Sequence, residues 1–187
     1  MIILKLYHGS SNTKLKSFDF NHNGYDAFDF GKGIYFTANF KRAKNWSCRN
    51  SDVGAVYEVD IILEDSDLRI KNISKEDNDL YYLFYICRIG LSDLAMDFID
   101  DYEQYDVVCG PVLRGVEKGG ICEYKALAER FNEGDIDFDE LREKTELFSE
   151  DFEQICLKSK RAFEYINANL TKKHLVKKHY EINEILL

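Results

Sequence analysis

Three places in this chain set polar side chains where backbone could approach a ligand. The first is Leu6-Tyr7-His8-Gly9-Ser10, where an imidazole closes a strand-like run and is followed by a glycine and hydroxyls. An imidazole there can give or take one hydrogen bond, and a glycine lets backbone come close. The second is Asp29-Phe30-Gly31-Lys32-Gly33-Ile34-Tyr35-Phe36-Thr37. Two glycines free the chain before a short β-branched and aromatic run, and alternation sends Ile34 and Phe36 to the core. Tyr35 is left facing whatever the loop surrounds. The third is the polar pair Glu153-Gln154, entering a strand-like segment at 152–158. Taken singly, each has a plain structural explanation: His8 satisfied by a carbonyl, Tyr35 as core, Gln154 as surface.

Other chemistries recede. Asp29-Phe30-Gly31 mimics a kinase magnesium motif, but no glycine-rich phosphate loop, strand lysine or H-R-D loop accompanies it. Gly31-x-Gly33 lacks the third glycine and following helix of a dinucleotide fingerprint. His174 and His179 are not spaced to share one helix face, so no metal is expected. No G-x-S-x-G elbow or P-loop is present.

The elements that must position these residues follow from composition and period. The 187 residues suffice for one domain, or one domain with an appendage. An apolar fraction of 45% with 14% aromatics is globular. A net charge of −9 argues against broad binding to nucleic acid. Cys48, Cys87, Cys109, Cys122 and Cys156 include no C-x-x-C pair and read as reduced thiols of a cytoplasmic protein. The N-terminus lacks a signal-peptide pattern, and no apolar run is long enough to span a bilayer.

Residues 2–7 and 54–63 alternate as strands, the latter with Glu58 and Asp60 on its polar face. Between them lie a long loop at 12–32, anchored by Phe18, Phe20, Tyr25, Phe28 and Phe30, and a helix over 38–49 capped by Thr37. Lys41, Arg42, Lys44 and Arg49 give that helix a basic side that an anionic ligand would welcome. Ile70 extends the sheet. Helical spacing covers 74–104, a strand covers 105–109, and acidic helices cover 122–131 and 138–148. The late strand runs into a helix capped by Ser159, and 171–187 read as a closing amphipathic helix. The class is α+β.

Three motifs in order resemble the ADP-ribosyltransferase superfamily, and within it a mostly uncharacterised bacterial toxin-like branch. They are Leu6 to Ser10, Asp29 to Thr37, and Tyr105-Asp106-Val107-Val108-Cys109-Gly110-Pro111. The resemblance implies a split, strongly bent β-sandwich over 1–169 with helical insertions, and 170–187 as a helical tail packed on it. It implies NAD as co-substrate in a cleft between two small sheets, and no metal. His8 would hydrogen-bond the adenosine-side ribose, Gly9 would grip the nicotinamide carboxamide, and Tyr35 would stack on the nicotinamide ring. Ser10, Gly33 and Thr37 would support them. The family's usual glutamate falls on Gln154, with Glu153 as the fallback if the register slips by one. A glutamine oxygen accepts from a ribose hydroxyl but is uncharged, so Gln154→Glu is expected to keep or raise turnover.

The activity implied is mono-ADP-ribosyl transfer from NAD to a macromolecule, a protein rather than a nucleic acid, with release of nicotinamide. A toxin held by a small antitoxin protein is the implied setting. Two other functions fit the residues: an NAD- or ADP-ribose-binding module without turnover, and an interaction domain docking a partner through the aromatic loop.

Overall fold

The computed structural model describes residues 4–20, 29–61, 67–89, 102–114, 117–118, 121–147, 154–178 and 180–186. In chain order the strands are β1 (Leu4–Ser10), β2 (Ile34–Phe36), β3 (Val53–Ile61), β4 (Ile70–Asn72), β5 (Val107–Gly110), β6 (Leu113–Arg114), β7 (Glu117–Lys118), β8 (Ile121–Cys122), β9 (Glu146–Leu147), β10 (Gln154–Leu157), β11 (Leu170–Lys177) and β12 (Tyr180–Leu186). The helices are α1 (Phe40–Ser47), α2 (Asn78–Leu83) running into a π-helical turn (Phe84–Ile89), α3 (Glu123–Asn132), α4 (Phe138–Lys144) and α5 (Lys160–Ala168).

Sheet I is antiparallel, in the order β1-β3-β11-β12. Sheet II runs β2-β10-β5-β4, antiparallel except for the parallel β4–β5 pair. Alternation along the strands divides the core into layers. Leu6, Tyr57, Val59 and Ile61 of sheet I share one cluster with Phe36, Val107, Ile155 and Leu157 of sheet II, sealed by Phe163 and Ile166 of α5. The opposite face of sheet II sends Val108 and Cys156 into a second cluster with Phe30, Leu80, Phe84, Tyr85 and Leu141, under the helices. The outer face of sheet I meets α1 through Ala43, Val56 and Val176.

That outer face also corrects the reading of β3. Glu58 is buried at 4% exposure rather than solvated. His174 Nε2 lies 2.8 Å from Glu58 Oε2, and the Lys5 ammonium donates to Oε1. Burial pushes the Glu58 carboxyl up, but the hydrogen bonds from Lys5 and His174 outweigh it and hold the group below the usual range.

Four further expectations change. The tail is not a helix: residues 170–177 pair along β3, and 180–186 pair with β11. His174 and Val176 are buried at alternate positions, a period-2 pattern. Pairing along the open side of β3 outweighs the helical propensity of the lysines. Asn39, not Thr37, caps α1, its side chain accepting from Arg42 N at 3.1 Å, while Thr37 Oγ1 accepts from Asn39 N. The helix from Phe138 stops at Lys144, because Thr145 turns extended and Glu146–Leu147 pairs with β6. Phe18 and Phe30 are buried in the two main cores, so neither is presented to a partner. Tyr25, Phe28 and the helical segment expected near 94–99 lie outside the described residues.

Among the described residues no helix is long and apolar enough to cross a membrane. Cys48, Cys87, Cys109 and Cys156 are free thiols. Because β11 supplies the second neighbour of β3, truncation after Asn169 should abolish cooperative thermal unfolding followed by circular dichroism. A truncated chain that melts like the full chain would show that the hairpin is dispensable.

Candidate functional site

The site forms where β1 of sheet I meets β2 of sheet II. Tyr7 N donates to Thr37 O at 2.8 Å, and Thr37 N donates back to Tyr7 O at 3.0 Å. One residue on, His8 points into the inter-sheet layer and is ringed by Phe18, Phe36 and Tyr57 at centroid distances of 5.2, 5.5 and 6.5 Å. Its Nδ1 lies 2.8 Å from the Tyr35 carbonyl. Desolvation among these rings pulls the imidazole down to about 4, against the opposing effect of the carbonyl. His8 is therefore neutral near pH 7. A carbonyl only accepts, so the proton sits on Nδ1 and Nε2 is left as an acceptor.

Two glycines make the junction close. A Cβ on Gly9 would lie 1.9 Å from the Ala43 carbonyl oxygen, so α1 rests on the bare backbone of β1. Gly33 likewise sits where a Cβ would come within 2.5 Å of Leu157 O, which lets β2 enter the sheet. Its neighbour Gly31 has φ +75°, the left-handed region that a side chain disfavours.

Tyr35 holds the turn that these glycines permit. Its hydroxyl donates to Gly31 O at 2.6 Å and accepts from Phe30 N at 3.1 Å, and its ring stacks on Phe30. Burial raises the phenol well above 10, with Cys156 and Asp29 adding to the shift. Lys158 Nζ donates to Phe30 O at 2.6 Å. Residues 29–33 are thus clamped from both sides.

Gln154 opens β10. The register places Cys156 opposite Tyr35 and Ile155 opposite Phe36, so Gln154 shares the Tyr35 face by alternation. Its Nε2 donates to Asp29 Oδ2 at 3.3 Å, and Asp29 is 4% exposed. His8, Gly9, Ser10, Gly33, Tyr35, Thr37 and Gln154 all line one cavity of about 570 Å3. Glu153 lies outside the described residues.

The structure adds residues the sequence reading passed over. Asp29 lines the cavity, although the motif it opens was read for Gly33, Tyr35 and Thr37 and gave Asp29 itself no role. So do Arg42 and Trp46 of α1, Trp46 being 49% exposed. Arg42 is the sole Lys or Arg among the described lining residues. Its basic helix face was the available signal. Among the described residues, no group of three His, Cys, Asp or Glu side chains could hold a metal.

The neutral state of His8 carries a pH signature. Its ordinary value is 6.5 and its folded value about 4, so between these the unfolded chain binds the extra proton. Stability should be fully present above pH 6.5 and fall as pH drops toward 4, by at most about 3 kcal/mol from this group. His8→Asn keeps a donor for the Tyr35 carbonyl but does not titrate. Urea unfolding from pH 7 to 4 should therefore show a shallower decline in His8→Asn than in the wild type. Equal slopes would mean that His8 is not held neutral.

No curated protein and no solved structure matches the chain. Residues 4–168 match the family model described as "Protein of unknown function (DUF3990)", and the chain belongs to that family.

Proposed function

We propose that this protein is a mono-ADP-ribosyltransferase that takes NAD as substrate in the β1–β2 cavity and releases nicotinamide. The observation that carries the reading is the convergence of His8, Tyr35 and Gln154, distant in sequence, on one cavity. Its volume of about 570 Å3 falls within the range of roughly 300–1,000 Å3 usual for small-molecule sites. In this reading the two sheets are the halves of the split, bent β-sandwich that the motifs resemble.

The lining suits a dinucleotide. His8 Nε2 is a neutral acceptor for a ribose hydroxyl. The Gly9 backbone, at the cavity wall, would meet the carboxamide, with Ser10, Gly33 and Thr37 alongside. Tyr35 gives one aromatic platform and Trp46 a second, one for each ring of the nucleotide. Arg42 provides a planar cation for the pyrophosphate. Departure of nicotinamide leaves positive charge on the ribose, so the protein must bind, orient and stabilise that charge without a general acid. Gln154 Oε1 would accept from a ribose hydroxyl as the charge develops.

The net charge of −9 favours a protein acceptor over nucleic acid. Action as a toxin restrained by a small antitoxin is supported by the motif resemblance. The uncharged amide at 154 favours a second reading, an NAD- or ADP-ribose-binding module without turnover.

Incubation with NAD labelled in the nicotinamide and in the ADP-ribose moiety tests the proposal. Release of nicotinamide with label passing to protein is expected, and Tyr35→Ala or Gln154→Ala should reduce it by at least ~100-fold. Saturable binding without release would favour the module. The absence of NAD-dependent thermal stabilisation would overturn both readings. Arg42→Ala should weaken NAD binding by about 10- to 100-fold, the loss of one charge-assisted contact, as measured by calorimetry.

A further inference from the structure

Gln154 is half-buried and Asp29 almost wholly so, yet the two meet in the wall of a cavity. Burying a carboxylate costs several kcal/mol unless hydrogen bonds compensate, and Gln154 Nε2 donates one to Asp29 Oδ2. Its loop is clamped by the Tyr35 hydroxyl at Gly31 O and Phe30 N and by Lys158 at Phe30 O, and it turns at a positive-φ glycine. The 3.3 Å contact from Gln154 Nε2 to Asp29 Oδ2 then decides which way the amide faces. A carboxylate only accepts, so the NH2 group must point at Asp29, and Oε1 is the acceptor the amide keeps for another donor.

On the reading that the cavity takes NAD, we propose that Asp29 carries the negative charge that Gln154 lacks, so that the two residues together do the work of a single glutamate. Gln154 makes the contact, its oxygen accepting from a ribose hydroxyl. Asp29 orients that amide and polarises it, since hydrogen bonds in series strengthen one another. In the step itself the ribose C1′–nitrogen bond breaks and its electron pair leaves with nicotinamide. The acceptor's lone pair forms the new bond to C1′, and the acceptor's proton passes to solvent. Neither Asp29 nor Gln154 gains or loses a proton. Asp29 supplies fixed charge where positive charge grows, an effect strongest in a site that excludes water.

This pairing alters the expectation for residue 154. Gln154→Glu would set two carboxylates at hydrogen-bonding distance, where they must share a proton. The single substitution is therefore not a simple gain, and the informative change moves the charge across the pair. In Asp29→Asn/Gln154→Glu the same hydrogen bond survives with its polarity reversed.

Two readouts test the assignment. In protein without NAD, the side-chain amide resonances of Gln154 should shift between wild type and Asp29→Asn. In NAD cleavage, Asp29→Asn should lower kcat by at least ~100-fold while calorimetric affinity for NAD stays within about threefold. The double variant should recover at least ~tenfold of that loss, which a merely structural role for Asp29 would not produce. Should Asp29→Asn fail to fold, as judged by its melt, the double variant is compared directly with wild type. Turnover within about tenfold supports the proposal, and a folded, NAD-binding but inactive double variant overturns it. Unmoved Gln154 resonances, or wild-type turnover by Asp29→Asn, overturn the assignment while leaving the wild-type activity as proposed. Wild-type protein that does not bind NAD overturns that activity and the assignment together.

Discussion

β1 and β2 belong to different sheets, yet hydrogen bonds tie them at adjacent residues. Tyr7 and Thr37 exchange a backbone pair, and His8 Nδ1 closes onto the Tyr35 carbonyl. These contacts fix where the layer between the sheets opens, because the same residues line the cavity. They also fix the chemistry of the imidazole. The carbonyl accepts from Nδ1–H, and packing against Phe18, Phe36 and Tyr57 disfavours the charged ring. One interaction thus joins the sheets, sets the tautomer and leaves a neutral acceptor on the cavity side.

A second constraint acts on the other wall. The Tyr35 hydroxyl is consumed in holding residues 29–33 and its ring stacks on Phe30, so this side chain has a structural duty to the loop. The clamp places Asp29 against Gln154. Gly9 and Gly33 have steric duties in turn, admitting α1 and β2. Most of the motif residues therefore have a packing reason to be what they are. In the proposed reading that reason and a binding role coincide, because the cavity is built from the junction itself.

Sequence period carried the reading where side chains alternate against a buried layer, as along β3 and across Ile34-Tyr35-Phe36. The family resemblance, not periodicity, carried the expectation that His8, Tyr35 and Gln154 share one place. What stayed hidden depends on distant partners. Lys172, Lys173 and Lys177 suit a helix locally, and only the open side of β3 makes residues 170–177 a strand. Asp29 looks like the solvated start of a glycine loop until Gln154, 125 residues later, lies beside it. Arg42 reads as surface charge until Ala43 settles on Gly9 and brings α1 to the cavity. Glu58 reads as the polar face of a strand until Lys5 and His174 arrive from its two neighbours.

The central claim is that one junction between two sheets forms a nucleotide site. Titration of isotopically labelled protein with NAD, followed by amide chemical shifts, tests it most directly. The account predicts that Gly9, Tyr35 and the Gln154 side chain shift together along one saturating isotherm, while residues of α4, none of which lines the cavity, stay still. Saturating shifts elsewhere with these three unmoved, or no saturable shift at all, would contradict it.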